Sequence, residues 1–260
     1  MIDKPRRPLQ QSRSDALIEV VQPDWLTGPN VQAFSTTRNG GVSQEPYASL
    51  NMGLHVGDEQ QAVLENRRQL SHALSLPEEP FWMNQTHSTD VLHANSAVTC
   101  EGDGAYTSNP GCVLAVLTAD CLPVVITTGE ELSVIHAGWR GLAGGIVSNA
   151  VAMFKQHTDI QAWLGPAIGP LAFEVGEDVL EAFLARRTDY HRFFKPQPAK
   201  GKYLCDLYAI ARAELNDAGC GNVSGGNYCT FSQRELFHSH RRDGVSSGRM
   251  ATIAWLTKIN

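Results

Sequence analysis

The chain has 260 residues, which is enough to bury a sizeable core in one large domain or two small ones. Hydrophobic residues make up 42% of the chain and charged residues 18%, which excludes a disordered protein, and the net charge of −6 excludes the basic footprint of nucleic-acid binding. No apolar run approaches the roughly 20 residues of a membrane helix, no secretory signal is visible, and the cysteines form no C-x-x-C pair, so we expect reduced thiols in a cytoplasmic protein.

Strands and helices are predicted to alternate along the chain. Residues 1–15 are expected to form a flexible N-terminal arm, and residues 16–260 a single domain. The predicted strands are Val31–Thr36, Phe81–Thr86, Cys112–Leu117, Val124–Thr127, Leu132–His136, a strand from Val223, and Met250–Leu256. The predicted helices are Asp58–Leu74, Gly144–His157, Glu177–Ala185 and Leu207–Ala218, and Lys195–Lys202 is predicted to be an exposed loop. Because the hairpin makes the sheet partly antiparallel, we predict a mixed α/β (α+β) sandwich.

The segment 118–145 carries the strongest functional signal. If its hairpin turn is centred near Gly129 and Glu130, Cys121 and His136 lie opposite each other to within about two residues on adjacent strands. A thiolate and an imidazole would then meet at one edge of a sheet, next to the start of a helix. This pair makes an enzyme the leading hypothesis.

A third residue, His87 in N-Q-T-H-S, completes a candidate metal site with Cys121 and His136. Two imidazoles and one thiolate are a known catalytic zinc set, and three protein ligands leave one position open for water or substrate. Asp120 could orient a ligand from behind. The alternative is a cysteine packed as a small hydrophobic residue and histidines with structural roles, because nothing local brings His87 to the other two.

A second candidate element is the glycine-rich segment 138–145, predicted to be a turn into a helix whose backbone N–H groups bind an anion. Arg140 would clamp the anion, or else form an ordinary ion pair. Arg38 and Asn51 lie among turn glycines, where ligand-binding groups often occur, although a surface turn explains them equally well.

Two further features leave alternatives open. Asp103 is either an acid–base residue or a turn aspartate. Arg241, Arg242 and Arg249 lie around glycines near the end of the chain and form either a second anion-facing loop or a set of solvated side chains.

Several ordered motifs together resemble one bacterial family. They are N-Q-T-H-S, A-D-C-L-P-V, H-A-G-W-R-G, L-G-P-A-I-G with F-E-V-G, and C-T followed by R-R-D-G and G-R. The family was long called the multicopper polyphenol oxidase, or laccase-domain, family. Its members are now usually described as purine nucleoside phosphorylases with adenosine deaminase activity, and peptidoglycan precursor editing has been proposed for some. The resemblance spans about residues 31–256.

The resemblance implies that His87, Cys121 and His136 are zinc ligands in a single-domain α/β/β/α-type catalytic domain that forms dimers. It places Arg38 and Arg140 at the substrate or phosphate. It implies a purine nucleoside and phosphate as partners, while the net charge and the lack of a long apolar run predict no nucleic-acid or membrane partner. The chain departs from the family pattern in its C-terminal loop, where His240 replaces a more usual aromatic residue and V-S-S-G-R is one residue longer.

The expected activities follow from the resemblance and from the donor set. They are phosphorolysis of adenosine, inosine, guanosine and methylthioadenosine, and hydrolytic deamination of adenosine. Deamination follows directly from a zinc site, with Cys121, His87 and Asp103 as catalytic residues and Asp103 or Glu174 as the candidate proton shuttle. Phosphorolysis needs phosphate near the ribose C1′, which Arg38, Arg140 and the segment 138–145 could hold, with Asn51 at the substrate.

Three alternatives remain at this stage. A laccase-like copper oxidoreductase fits poorly because the nine histidines include only one H-x-H pair, His238 and His240, although copper can displace zinc at such a site. A metal-free cysteine hydrolase acting on peptidoglycan precursors would use Cys121 as nucleophile and His136 as base. A non-catalytic protein would hold a nucleotide in the same pocket without turnover.

Overall fold

The computed structural model describes residues 18–24, 30–97 and 99–257, so the predicted N-terminal arm lies outside the described residues. The strands are β1 (Val20–Val21), β2 (Val31–Thr36), β3 (Phe81–Trp82), β4 (Val91–His93), β5 (Gly104–Thr107), β6 (Leu114–Thr118), β7 (Leu122–Thr127), β8 (Leu132–Ala137), β9 (Gln161–Leu164), β10 (Glu174–Gly176), β11 (Phe194–Pro196), β12 (Lys202–Cys205), β13 (Asn222–Gly225) and β14 (Met250–Leu256). The α-helices are α1 (Gln60–Leu74), α2 (Trp139–Gly144), α3 (Ile146–Ala152), α4 (Glu177–Arg186), α5 (Leu207–Asp217) and α6 (His240–Asp243), with 3-10 helices over Thr188–Phe193 and Gly244–Ser246. Within these ranges, none of the helices combines the length and the apolar character needed to cross a bilayer.

Two mixed sheets form the centre of the molecule. The first sheet has the strand order β1-β2-β14-β6-β3, and the second has the order β13-β9-β7-β8-β5-β4. Most neighbouring strands are antiparallel, but β3 pairs with β6, β4 with β5 and β13 with β9 in parallel. A small antiparallel sheet, β10-β12-β11, accompanies them.

Strand β6 shows how the first sheet is buried on both faces. Leu114 and Val116 belong to the hydrophobic cluster shared with the second sheet. Val113, Ala115 and Leu117 belong to the cluster that packs against α1. Successive strand residues point to opposite faces, so a continuous apolar run fills two cores at once.

Helices cover the outer faces of both sheets. Helix α1 packs Leu70 and Leu74 against the first sheet, while α2 to α5 pack against the second, with Ile146, Phe183 and Ile210 among their buried residues. The layers are therefore helix, sheet, sheet and helices in one domain. This arrangement confirms the predicted α/β/β/α sandwich.

The strongest apolar patterns gave accurate strand predictions. Val31–Thr36 and Met250–Leu256 are β2 and β14 without change. The predicted hairpin forms β7 and β8, which pair Thr127 with Leu132 at the turn. Other elements shift by a few residues: the first helix begins at Gln60 rather than Asp58, and the predicted strand Phe81–Thr86 is reduced to β3.

Three element predictions differ from the structure. The helix predicted over Gly144–His157 is shortened to α3, which spans Ile146–Ala152, and Gly145, with a φ of +97°, separates it from the additional helix α2. Helix α2 also occupies most of the segment that was predicted to be an open anion-binding turn. Residues 195–202 are mostly exposed as predicted, but the segment is the turn of an antiparallel hairpin, and its ends belong to β11 and β12.

Candidate metal centre

Three chain segments bring His87, Cys121 and His136 together at one edge of the sandwich. His87 lies in the connection between β3 and β4, Cys121 directly precedes β7, and His136 lies in β8. The hairpin register pairs Pro123 with His136, which places Cys121 two residues from the position opposite His136, as the hairpin predicted. The potential ligand atoms of the three side chains all lie within 4.8 Å of one another.

The three side chains differ in their exposure. His136 is buried, Cys121 is partly buried and His87 is exposed, so the centre opens on the His87 side. The rings of His87 and His136 meet edge to face, with centroids 4.9 Å apart. A Cβ atom at Gly138 would lie 3.1 Å from Cys121 Sγ and 3.4 Å from His87 Cδ2. Glycine at this position therefore leaves space directly beside the ligand atoms.

Asp103 forms hydrogen bonds that connect the two histidines of the candidate centre. Its Oδ1 accepts a hydrogen bond from His136 Nδ1 at 2.7 Å, which leaves His136 Nε2 for a metal ion. Its Oδ2 accepts bonds from the backbone N–H groups of Thr86 and Ser88 at 3.1 and 2.6 Å, on either side of His87. His87 itself has a φ of +61°, a conformation that these flanking bonds stabilise.

The Asp103 carboxylate is fully buried and ionised. Burial by itself raises its pKa, but the hydrogen bonds from His136 and Ser88 outweigh this effect and lower the pKa to about 2. A carboxylate with all these partners and no exposed surface favours a positioning role over the proton transfer predicted for it.

Cys121 and His136 form a coupled pair. Burial raises the pKa of the Cys121 thiol, but the His136 and His87 imidazoles outweigh it and lower that pKa to about 6. Burial likewise lowers the pKa of His136, but Cys121 and Asp103 raise it to about 9. Near neutral pH the pair therefore favours a thiolate, which is the form of cysteine that binds a metal ion or attacks an electrophile.

The donor set fits a metal ion such as zinc. Two imidazole nitrogens and one thiolate sulfur are ligands that zinc prefers, and three protein ligands with an open side are typical of catalytic sites. Among the described residues, these three form the cluster of histidine, cysteine and acidic side chains that could hold a metal ion. The structure does not add Glu174 to this cluster.

Asp120 anchors a second loop beside the centre instead of contacting a ligand side chain. Its carboxylate accepts hydrogen bonds from Thr230 Oγ1 at 2.5 Å, Ser239 Oγ at 3.0 Å and the Arg241 backbone N–H at 2.6 Å. Its φ of +85° turns the chain from β6 towards Cys121. Asp120 thus attaches the C-terminal loop to the cysteine segment.

The predicted substrate residues Arg38 and Asn51 are occupied within the protein. Arg38 Nε and Nη2 both donate to the Ala48 carbonyl, at 3.0 and 2.7 Å. Asn51 is fully buried, and its Oδ1 accepts hydrogen bonds from the backbone N–H groups of Gly53 and Arg249, both at 2.9 Å. These contacts favour structural roles for both side chains.

Two other predicted residues lie on the surface. Arg140 is exposed in the first turn of α2, and its guanidinium carbon lies 4.2 Å from the centroid of the Trp139 ring. Glu174 is exposed in β10, and its backbone carbonyl accepts a bond from Arg241 Nη1 at 2.8 Å. Sequence reasoning missed Ser88, and it assigned Gly138 to anion binding rather than to the space beside the candidate ligands. Each lies within two residues of a predicted ligand, and that adjacency was the available signal.

Comparisons with known proteins agree over nearly the whole chain. The family described as multi-copper polyphenol oxidoreductase laccase matches residues 32–257. A purine nucleoside phosphorylase from Haemophilus influenzae is 46% identical over 243 residues, which cover 92% of this chain and 99% of that protein. The purine nucleoside phosphorylase YfiH from Escherichia coli is 44% identical with the same coverage.

Solved structures show the same fold. A crystal structure of a Neisseria meningitidis protein superposes with a TM-score of 0.87 at 44% identity and covers 92% of this chain and 99% of that one. The structure of YlmD from Geobacillus stearothermophilus gives a TM-score of 0.81 at 31% identity, with 98% and 100% covered.

Fold and site together define a single-domain α/β protein whose His-Cys-His centre can hold a metal ion. The chain belongs to the multi-copper polyphenol oxidoreductase laccase family, which confirms the resemblance inferred from its motifs. The relatives' names indicate nucleoside chemistry, whereas the family's name indicates copper oxidation. The choice between these two activities therefore depends on the chemistry of the site.

Proposed function

We propose that this chain is a zinc-dependent purine nucleoside phosphorylase that also deaminates adenosine by hydrolysis. The proposed substrates are adenosine, inosine, guanosine and methylthioadenosine, with inorganic phosphate as co-substrate. The observation that carries the proposal is the cluster of His87, Cys121 and His136, which is open on one side and lies in a chain whose relatives are named purine nucleoside phosphorylases.

The number of potential ligands argues against a multicopper oxidase. Several copper ions need many histidines, whereas the described residues provide one three-residue cluster. His238, from the H-x-H pair, is buried against Gly248 and does not join that cluster. A single copper ion remains a competitor for the zinc, because copper binds nitrogen and sulfur ligands more tightly.

The chain's own residues prepare the centre for this chemistry. Asp103 holds the His136 ring through Nδ1, and the low pKa of Cys121 supplies a thiolate ligand. A metal ion bound there would supply Lewis acidity at the position that the three ligands leave open. Gly138 leaves room beside that position, and exposed His87 lies on the side from which a nucleoside can approach.

A metal-free cysteine hydrolase is the second candidate function. It is favoured by one observation, the Cys121 thiolate beside the His136 imidazole, which is also the arrangement of a nucleophile and its base. Metal content separates the two proposals, because a stoichiometric metal ion bound to Cys121 removes the free nucleophile. Alkylation of Cys121 should then require prior removal of the metal.

The test uses purified protein with its metal content measured. We expect inosine and phosphate to give hypoxanthine and ribose 1-phosphate, adenosine alone to give inosine and ammonia, and Cys121→Ser to abolish both. Oxygen consumption with a polyphenol, in the absence of nucleoside turnover, would support the copper oxidase instead. Full metal loading without turnover of any purine nucleoside would contradict the proposal.

The proposal includes a homodimer, as the family resemblance implies, and a cytoplasmic location, as the cysteine pattern predicts. Light scattering of the purified protein should give twice the mass of the 28.4 kDa chain. A monomer that retains full activity would remove dimerisation from the proposal without affecting the site.

A further inference from the structure

The three arginines near the end of the chain have different roles. Arg241 Nη1 donates to the Glu174 carbonyl at 2.8 Å. Arg242 donates from Nη1 to the Thr230 carbonyl at 2.9 Å and from Nη2 to the Phe237 carbonyl at 2.8 Å. Arg242 therefore braces loop backbone with both terminal nitrogens, whereas Arg241 is exposed and directed towards β10, with its guanidinium carbon 5.3 Å from the centroid of the Phe173 ring. Across the described ranges of the chain, Arg249 is the member of the set that combines unpaired donor nitrogens with partial burial.

The free edge of the Arg249 guanidinium consists of Nε and Nη2. Nη1 donates to the carbonyls of Ser247 and Gly248, at 2.7 and 3.1 Å. Within residues 18–24, 30–97 and 99–257, Nε and Nη2 have no hydrogen-bond partner, and neither is sealed from solvent. These two nitrogens form the fork that binds two oxygens of a phosphate or carboxylate.

The sheet register places Arg249 next to the metal centre. Strands β14 and β6 are antiparallel with Met250 opposite Thr118, so Arg249 lies at the end of β14 beside the end of β6. The chain leaves β6 there and reaches Cys121 three residues after Thr118. Burial lowers the pKa of Arg249, while the charges of Cys121 and Asp120 raise it, as expected for a guanidinium on the same side as the thiolate.

Other basic side chains lie near Arg249, besides the negative charges of Cys121 and Asp120. Burial and then the charges of Arg249 and Arg67 lower the pKa of His55. The carboxylate of Asp58 is engaged by Ser43 and Asn51, at 2.6 and 2.9 Å. Arg249 forms no ion pair with a carboxylate in the described part of the chain. A half-buried guanidinium whose charge is not satisfied by a salt bridge favours the binding of an anion.

Asn51 and Gly53 hold Arg249 in position. Asn51 Oδ1 accepts the Arg249 backbone N–H at 2.9 Å, and Asn51 Nδ2 is itself fixed by Asp58. A Cβ atom at Gly53 would lie 2.8 Å from Arg249 Cγ, so the arginine side chain lies directly over this glycine. Both residues belong to the long irregular connection between β2 and α1, and connections of this length are usually functional.

We propose that Arg249 is the phosphate-binding residue of the metal centre and that Asn51 is its positioning residue. The inference rests on the proposed phosphorylase function and moves the phosphate contact from Arg38 and Arg140 to Arg249. In the reaction, an oxygen of hydrogen phosphate bonds to ribose C1′ as the C1′–N9 bond breaks. The purine leaves with that electron pair, and the proton of the hydrogen phosphate ends on the purine. Arg249 holds the phosphate and exchanges no proton.

The kinetic test compares five variants of the metal-loaded protein, including Arg140→Gln, which removes the exposed arginine that the sequence analysis placed at the phosphate. Arg249→Gln should raise the KM for phosphate by about 10- to 100-fold, the effect of losing a charge-assisted contact, and Arg249→Lys by less. Asn51→Ala should raise the KM for phosphate more than the KM for inosine, which a general loss of structure would not do. Arg192→Gln, which removes an exposed arginine from the 3-10 helix Thr188–Phe193, is the matched control and should leave both unchanged.

Binding is measured separately from activity, by the rise in melting temperature on titration with inorganic phosphate. We expect this rise in the wild type and in Arg192→Gln, and its loss in Arg249→Gln. If the wild type makes no ribose 1-phosphate but shows the Arg249-dependent rise, the phosphorylase proposal fails and the anion site stands. The inference is overturned if the wild type is active but Arg249→Gln and Arg249→Lys keep the normal KM for phosphate. It is also overturned if Arg140→Gln, rather than the Arg249 variants, raises the KM for phosphate.

Discussion

The positions of both histidines in the candidate metal centre depend on Asp103, which is not itself one of the three candidate ligands. One oxygen holds His136, and the other holds the backbone on both sides of His87. Asp103→Asn replaces an acceptor with an amide that cannot satisfy all these donors, and we expect metal affinity to fall about 10- to 100-fold. Competition with a chromophoric chelator measures this change.

The control for Asp103 is Asp159→Asn. Asp159 is exposed, and its φ of +56° is a conformation that asparagine also tolerates. This variant should bind metal like the wild type. Equal metal affinity of Asp103→Asn and the wild type would show that the carboxylate does not position the ligands.

The lack of a side chain at Gly138 keeps the space beside the candidate ligand atoms open. Alanine at this position would bring a methyl group to 3.1 Å from Cys121 Sγ and 3.5 Å from His136 Cε1. The backbone there is ordinary, with φ −63°, so we expect Gly138→Ala to fold but to lower kcat by about 10- to 100-fold through displacement of reacting groups. Circular dichroism and steady-state kinetics together measure this outcome.

Gly221→Ala provides the matched control, since a Cβ atom there meets nothing within 4 Å. It should match the wild type in fold and rate. Normal turnover by Gly138→Ala would indicate that the reaction does not use the space beside this glycine.

At the scale of elements, an ionic cluster joins the helices that cover the second sheet. Glu214 of α5 is buried and accepts bonds from Arg186 of α4 at 2.7 and 2.8 Å, and it also pairs with Tyr190. Burial raises the pKa of Glu214, but the bonds from Arg186 and Tyr190 outweigh it, so the folded-state pKa lies below its ordinary value of 4.5. The cluster therefore stabilises the fold above that pH and loses this contribution as the pH falls through the lowered pKa.

We expect Glu214→Gln to reduce the free energy of unfolding by about 1–3 kcal/mol at pH 7, because the Arg186 charge loses its partner. The difference from the wild type should narrow as the pH falls below 4.5, since Glu214 of the unfolded wild-type chain then takes up a proton that the folded state binds less readily. Urea titrations at pH 7 and pH 3.5 measure both values. Glu130→Gln, in the exposed hairpin turn, should show no such difference, and a pH-independent effect of Glu214→Gln would contradict the argument.

Sequence patterns determine some elements better than others. Met250–Leu256 is buried throughout, and a continuous apolar run leaves little choice of bounds. Helix α2 was missed because the segment 138–145 is rich in glycine, which is typical of a turn, although Trp139–Gly144 forms a short helix that ends at Gly145. The hairpin predicted the proximity of Cys121 and His136, since register is a local property.

The position of His87 depends on the whole molecule. The connection from β3 to β4 carries His87, and the connection from β6 to β7 carries Cys121, and each leads from the first sheet to the second. Both crossings meet at one edge only because the two sheets stack. No local sequence pattern predicts that His87 lies near Cys121. The position of Arg249 is likewise set by a long-range contact, the pairing of β14 with β6.

A metal ion at this place would link the two crossings to β8, so its removal should loosen the whole sandwich. Binding to the folded state alone contributes about 4 kcal/mol at a free metal concentration 1,000 times the Kd. For a chain of this size, that corresponds to a fall in melting temperature of roughly 10 °C after dialysis against a chelator. Calorimetry before dialysis, after dialysis and after readdition of zinc measures the effect and its reversal.

Two cysteine variants test whether the effect arises at the proposed centre. Cys121→Ser should melt at the lower temperature whether or not a chelator is present, because it lacks the thiolate ligand. Cys100→Ser removes an exposed thiol outside the centre and should respond to the chelator like the wild type. A Cys121→Ser protein that still loses about 10 °C on chelation would place the stabilising metal elsewhere in the molecule, and the centre would lose its role in joining the two sheets.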